Sequence, residues 1–296
     1  MTRGSGASAG DVRGGDEPGR SPRGRDVKDP DVVDRDAVPW ALGVPACVGA
    51  MFLLLPLLGL LVRAPWQGLG GILSDSQVLD ALRLSLVCAT AATVISLVLG
   101  VPLAWVLARA RVRGISVLRA LVTLPLVLPP VVGGVALLLA FGRQGVLGRP
   151  LDALTGVTLP FTTAGVVVAE TFVAMPFLVV TVEGAFQAAD RGYEEAAATL
   201  GASRLTVFRR VTLPLVGPSL VAGTVLCWAR ALGEFGATIT FAGSFPGRTQ
   251  TMPLAVYLAL QSDPEAAIAL SLVLLLVSVA VLGGLRDRWL RAGTTL

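Results

Sequence analysis

Long apolar runs alternate with short polar ones along this chain of 296 residues. Six apolar blocks stand out: 38–62, 81–108, 116–141, 163–186, 215–241 and 264–285. Each holds about 20 residues or more, and at ~1.5 Å per residue a helix of that length crosses the roughly 30 Å of a bilayer's hydrocarbon core. A membrane β-barrel would instead show ~10-residue segments of alternating polarity. The pattern predicts an all-α integral membrane helical bundle with six transmembrane helices. One polar interruption, residues 187–214, lies between the fourth and fifth blocks.

Helix-unfriendly residues punctuate several blocks. The third holds Pro125, Pro129, Pro130, Gly133 and Gly134, the fourth Pro176, and the fifth Pro218, Gly233 and Gly236. An interior proline removes a backbone hydrogen bond and kinks a helix. In lipid the freed carbonyls must find partners on neighbouring elements. Two readings stay open here. Small residues let helices pack closely, or the kinked helices line a pathway that opens and closes.

Composition agrees with the bilayer as solvent. Hydrophobic residues make up 54% and charged residues only 15%, against about 25% charged in ordinary soluble domains. The net charge of +4 does not point to nucleic acid, because no compact basic domain exists to hold a phosphate backbone. The arginines follow the loops instead. Arg109, Arg111, Arg113 and Arg119 follow the second block, Arg191, Arg204, Arg209 and Arg210 the fourth, and Arg286, Arg288 and Arg291 the sixth. The intervening loops hold only Arg63, then Arg143 and Arg149, then Arg248. Cytoplasmic loops are enriched in Lys and Arg. Both termini and the 187–214 segment are therefore expected on the cytoplasmic side of a multi-pass protein of the cytoplasmic membrane.

Residues 1–37 are rich in Gly, Asp, Arg and Pro. Such a segment buries too little surface to offset its ordering entropy, so it is expected to be a disordered cytoplasmic tail. It is too long and too acidic to open a signal peptide. Three regions follow from this: the tail 1–37, a six-span domain 38–285 and a cytoplasmic tail 286–296.

Enzyme chemistry finds little support. The chain has no His and three cysteines, Cys47, Cys88 and Cys227, each inside an apolar block and without metal-ligand spacing. Buried free cysteine behaves as a small hydrophobe. No G-x-x-x-x-G-K-[ST] phosphate loop is present, and the only lysine is Lys28. No nucleophile-and-base constellation appears either. No catalytic residue, metal site or cofactor is assigned to the chain.

The polar segment has a readable design. Tyr193, Ala196, Ala197 and Leu200 follow i, i+3, i+4, i+7 spacing, one face of a helix. Asp190 is placed to cap its start, and Glu194 and Glu195 suit its positive end. Gly201 follows at a position where left-handed backbone is common. Ser203 is placed to cap a second short helix with Leu205, Phe208 and Val211 on one face, ended by Pro214. The segment reads as helix, glycine turn, helix at the cytoplasmic border. As physics alone it is either an amphipathic connector at the interface or a docking surface.

From Glu195 the segment also gives E-A-A, three residues, Gly201, nine residues, then Val211-Thr-Leu213-Pro214. That resembles the signature of the transmembrane permease subunits of binding-protein-dependent ABC importers. The stretch ARALGEFGATITFAGSFPGRTQTMPLAVY, Ala229 to Tyr257, resembles the molybdate branch of that family; sulfate permeases share its Glu234–Ala237 core. Similarity in pattern runs from about residue 38 to 285. The resemblance implies a type I ABC importer permease fold and a homodimer in a bacterial membrane. It also implies two separate ATPase subunits that bind ATP and Mg, and an extracytoplasmic molybdate-binding protein. It places Glu195, Ala196, Ala197 and Gly201 in the ATPase-docking core, with Leu213 and Pro214 fixing the return to the membrane. Uptake of molybdate or tungstate by alternating access is then expected. A sulfate or thiosulfate permease is the near alternative, and a lone ion-coupled carrier the distant one.

Inside the membrane, Arg230 and Glu234 stand four residues apart on one helical face. They read either as a salt bridge that holds the bundle or as a station for a passing oxyanion, with Thr238 beside them as a pathway residue. Thr224, Thr240 and Ser244 add hydroxyls nearby, although such groups often bond their own backbone. Glu170 is a second acid in an apolar block, with Arg119 as a candidate partner.

Overall fold

The computed structural model describes residues 40–110 and 113–292. The expected disorder of 1–37 lies outside these residues, as do Arg111 and the last four positions. The chain divides into two units, Met1–Leu53 and Leu54–Leu296, and the helix α1 (Trp40–Val62) straddles that division. It is apolar throughout and long enough to cross a bilayer.

In the second unit a short α2 (Leu69–Leu73) leads to α3 (Ser76–Arg109), which has 34 residues. At ~1.5 Å per residue α3 exceeds the bilayer core. It begins earlier than the hydropathy predicts, because Asp75 caps it: the carboxylate accepts from the Gln77 amide at 2.9 Å. A cap is a local signal, so the mixed polarity of the first turn does not prevent helix formation. α3 buries a strip of small residues, among them Ala81, Ser85, Ala89, Ala92, Ser96 and Gly100.

That strip seats α7 (Thr163–Ala188), capped by the Thr162 hydroxyl, which accepts from the Gly165 amide at 3.0 Å. A β-carbon on Gly100 would lie 3.2 Å from Val179, so the glycine permits the approach. α11 (Gly217–Leu232) completes the core, contributing Cys227, Ala231 and Leu232 beside Leu178, Val182 and Phe186 of α7.

The third apolar block is not one helix. It divides into α4 (Ile115–Val127) and α5 (Pro130–Phe141), with Leu128 extended between them at φ −67, ψ 135. Pro129 disfavours helical backbone at the residue before it, which explains the break. The fifth block is divided twice. The helical run 204–215 meets α11 at a 75° bend, with Pro214 and Pro218 on either side of Val216. α11 then stops at Gly233, and α12 (Gly236–Ala242) starts afresh. Four described helices are long and apolar enough to span a membrane alone, and the bent pair makes a fifth crossing if taken as one broken span. By length and composition the described helices thus supply four or five of the six expected crossings.

α5 and α12 pack closely through glycine. A β-carbon on Gly134 would lie 2.6 Å from the Thr240 Cβ, and one on Gly236 would lie 2.8 Å from the Pro130 Cβ. Between these elements lie α6 (Gly148–Thr155), and, after α7, the hairpin helices described below. α13 (Met252–Ser262) and α14 (Pro264–Ala292) end the chain. α14 continues helically past residue 285, into the segment expected to be a tail.

Candidate functional site

The polar segment folds as a hairpin on the end of α7. Ala189 is extended, and the Asp190 carboxylate accepts from the Gly192 amide at 2.8 Å, as a cap would. α8 (Gly192–Thr199) follows, with Glu194 and Glu195 in its first turn. Its end is a double backbone closure. The Ala202 amide donates to Ala197 O at 3.1 Å and the Gly201 amide to Ala198 O at 3.0 Å. This pairing needs left-handed backbone at Gly201, whose φ is +84. The Ser203 hydroxyl then accepts from the Thr206 amide at 3.3 Å and opens α9 (Arg204–Val207). One turn of π-helix, Phe208–Thr212, leads through α10 (Leu213–Leu215) to the bend before α11.

Tyr193 is 61% exposed, Leu200 89% and Leu205 65%. Ala196 is exposed as well. Three of the four residues on the apolar stripe of the first helix thus face outward, and Ala197 is half-buried. In the second helix the buried side chains are Val207 and Thr212, with Phe208 half-buried. Leu205 is exposed, whereas Phe208 and Val211 are both half-buried.

Glu194 is the acid turned inward. Its Oε1 accepts from Arg109 Nη2 at 2.8 Å and from the Thr212 hydroxyl at 3.1 Å. The neighbouring Glu195 is exposed. It sits with Ala198, Ala202, Arg204 and Phe208 around a cleft of about 280 Å³. Leu213 is half-buried and Pro214 exposed at the hairpin's return to the bundle. The Arg109–Glu194 pair spans 85 positions; no sequence spacing points to it.

In the bundle, Arg230 Nη2 lies 2.6 Å from Glu234 Oε2, so the i, i+4 pair forms. The other oxygen of Glu234 accepts from the Ala237 amide at 2.8 Å. Glu234 therefore also caps α12, which only a break at Gly233–Phe235 makes geometrically open. Glu234 is 1% exposed. Thr238 is buried, but its hydroxyl has no partner among the described residues and does not join the pair. Thr224 and Thr240 bond the backbone carbonyls four residues before them. The candidate pairing of Arg119 with Glu170 does not occur. Arg119 Nε donates to Glu183 at 2.7 Å and its Nη2 to Leu107 O at 3.0 Å. Glu170 is buried, with one oxygen unpartnered among the described residues.

Together, the hairpin hung between a buried helix and a bent one and the broken apolar helices beyond it describe a multi-helix membrane protein with a polar hairpin at one end. A family model described as the binding-protein-dependent transport system inner membrane component matches residues 96–292. This chain belongs to that family. The match covers the hairpin, the core of α7 and α11, and the short α12.

Relatives of this transport-system membrane component extend over most of the chain. The molybdenum transport system permease protein ModB of Mycobacterium tuberculosis is 51% identical over 245 residues, covering 83% of this chain and 92% of that protein. ModB of Escherichia coli is 41% identical over 219 residues, covering 74% and 95%. The sulfate transport system permease protein CysT of Salmonella typhimurium is 37% identical over 246 residues, covering 82% and 88%. Among solved structures, a bacterial alginate ABC transporter in complex with its alginate-bound periplasmic protein aligns with TM-score 0.72 at 17% identity, covering 86% of this chain and 95% of that one. The inward-facing MetNI methionine ABC transporter aligns with TM-score 0.54 at 22% identity, covering 81% and 98%. At these identities the likeness is one of fold, and the fold is that of ABC importer permeases.

Proposed function

We propose that this permease is the transmembrane subunit of an ABC importer that carries molybdate, or the similar dianion tungstate, into the cell. The observation that carries the substrate is the 51% identity, over nearly the full length of the relative, to a molybdenum transport permease. The sulfate permease relative stands lower, at 37%. The chain works as a homodimer in the cytoplasmic membrane with both termini inside. An extracytoplasmic binding protein delivers the anion, and two ATPase subunits bind ATP and Mg and supply the energy.

The hairpin is the ATPase contact. Supporting this, Tyr193, Leu200 and Leu205 present apolar side chains outward. Exposed apolar surface at a polar end of a bundle marks a place where another protein sits. Ala196, Ala197 and Gly201 keep the helix surface low, so a partner can approach its backbone, and Glu195 at the cleft offers a carboxylate to a basic group. Leu213 and Pro214 set the direction in which the chain re-enters the membrane. The absence of any lysine beyond Lys28 leaves no Walker-type site in this chain.

Along the pathway, Arg230 and Glu234 hold each other, and an oxyanion passing close to Arg230 competes with Glu234 for the guanidinium. That exchange would temper anion affinity and favour release. Thr238 offers a free buried hydroxyl one turn further on.

The test is co-purification of the chain with its ATPase, followed by uptake of radiolabelled molybdate into liposomes. ATP and a molybdate-binding protein should both be required, and excess sulfate should not compete. Uptake driven by an ion gradient in liposomes holding this chain alone would overturn the reading. Delivery by a sulfate-binding protein would move the assignment to sulfate.

A further inference from the structure

The hairpin is joined covalently to the bundle at two places only, the extended Ala189 after α7 and the bend at Val216 before α11. Two flexible joints leave a rigid body free to swing about the line between them. A third attachment removes that freedom, and the last turn of α3 provides it. Arg109 reaches Glu194 at 2.8 Å, and the Thr212 hydroxyl donates to the same carboxylate oxygen at 3.1 Å. Four residues earlier on α3, and so on the same helical face, Trp105 meets Phe208 edge-on with ring centroids 5.9 Å apart. Phe208 in turn lies tilted against Phe186, centroids 6.3 Å apart, and Phe186 is buried in the α7 core. One carboxylate thus ties the first arm of the hairpin, the second arm and α3 together.

The pair is shielded. The side chain of Arg109 is 9% exposed and that of Glu194 22%, so solvent and salt weaken it less than an open surface pair. Both partners also sit at helix ends that favour their charge: Arg109 in the last turn of α3 and Glu194 in the first turn of α8. A second pair stiffens the platform behind it. Arg119 of α4 donates to Glu183 of α7 and to Leu107 O of α3, and Gln187 donates to the same Glu183 oxygen at 2.9 Å. The inner ends of α3, α4 and α7 therefore behave as one body.

We propose that Arg109 is the positioning residue through which movement of the hairpin is passed to α3, and so to the packed α3, α7 and α11 core. This rests on the reading of the hairpin as the ATPase contact. A partner that pushes on the exposed face moves α8; the Arg109–Glu194–Thr212 link makes α3 follow instead of letting the hairpin pivot on its two joints.

The test uses the full complex with ATPase and binding protein, measuring uptake and ATP hydrolysis together. Arg109→Ala should still co-purify with the ATPase, while molybdate taken up per ATP hydrolysed falls about tenfold. The isosteric Glu194→Gln reads the same link if Arg109→Ala does not accumulate, and should lower the ratio in the same direction. Arg109→Lys, which keeps the positive charge at the same helix end, should retain most of the ratio, a rescue that general destabilisation would not produce. An unchanged ratio in Arg109→Ala or Glu194→Gln overturns the proposal, as does an Arg109→Lys variant no better than Arg109→Ala. Ala196→Arg, on the outward face, separates the two readings: it should abolish ATPase association. Retained association there defeats the docking assignment, whatever Arg109 does.

Discussion

Gly201 is the residue at which local backbone chemistry and the hairpin proposed as the ATPase contact meet. Its φ of +84 is what lets two amides turn back onto Ala197 and Ala198. Nothing lies within 4 Å of where its β-carbon would be, so crowding is not the constraint; the dihedral is. A β-branched side chain resists that dihedral strongly, at a cost of roughly 1–2 kcal/mol. Asn tolerates it far better. Gly201→Val should therefore insert normally but lose ATPase association and uptake, while Gly201→Asn keeps most of both. Pull-down of the ATPase from membranes carrying each variant checks this, and equal behaviour of the two would remove the turn from the docking surface. The same scale shows where sequence reading reached and where it stopped. Asp190, Gly201 and Ser203 act on amides one to five positions away, so their roles are written locally. Glu194 and Glu195 are adjacent and chemically identical. Only the tertiary arrangement of α3 beside the hairpin decides which of them meets Arg109.

At the scale of elements, the contact of α5 with α12 depends on the absence of side chains. A methyl group at Gly134 would come within 2.6 Å of Thr240 Cβ and 2.9 Å of Ala237 O. Overpacking of this kind costs about 1–3 kcal/mol. Gly134→Ala should lower the melting temperature in detergent. Gly184 on α7 has open space around it, and there alanine removes unfolded-state entropy, with a gain of up to ~1 kcal/mol. Gly184→Ala should hold or raise the melting temperature. The reverse order of the two variants would contradict the packing described. The prolines explain the divided blocks at this level. Pro129 sets Leu128 extended, and Pro214 and Pro218 flank the 75° bend. The residues were visible in the sequence, and kinks were expected from them. Whether each kink becomes a bend or a complete break depends on the neighbours that accept the freed backbone groups. Glu234 shows this, because its carboxylate takes the amide that the break at Gly233 exposes at the start of α12.

At the scale of the molecule, the hairpin and the loops that carry Phe161 and Phe245 lie at opposite ends of α7, whose 26 residues span ~39 Å as a helix. Their separation by a membrane fixes which partner each end can meet. In a chain with Cys47 replaced by serine, Leu200→Cys should react with an impermeant maleimide only in inside-out vesicles. Phe245→Cys should react only in right-side-out ones. Both native cysteines that remain, Cys88 and Cys227, are buried and leave a low background. Labelling of Leu200→Cys from outside would reverse the orientation and with it the assignment of the hairpin to an ATPase.

What depends on composition and on near neighbours was legible in the chain alone. Apolar block length marks the membrane as solvent, arginine placement gives an expected side, and caps and a left-handed glycine mark the hairpin. The i, i+4 pairing of Arg230 with Glu234 belongs to the same class, since a helix brings those positions together by its own geometry. The tertiary structure decided the rest. Arg109 with Glu194 and Arg119 with Glu183 join positions 85 and 64 residues apart, and no local rule selects those partners over Glu195 or Glu170. The physical reason is reach. Backbone and capping forces act over one or two turns of chain, whereas the choice of a distant ion partner follows from which helix ends the packed core brings side by side.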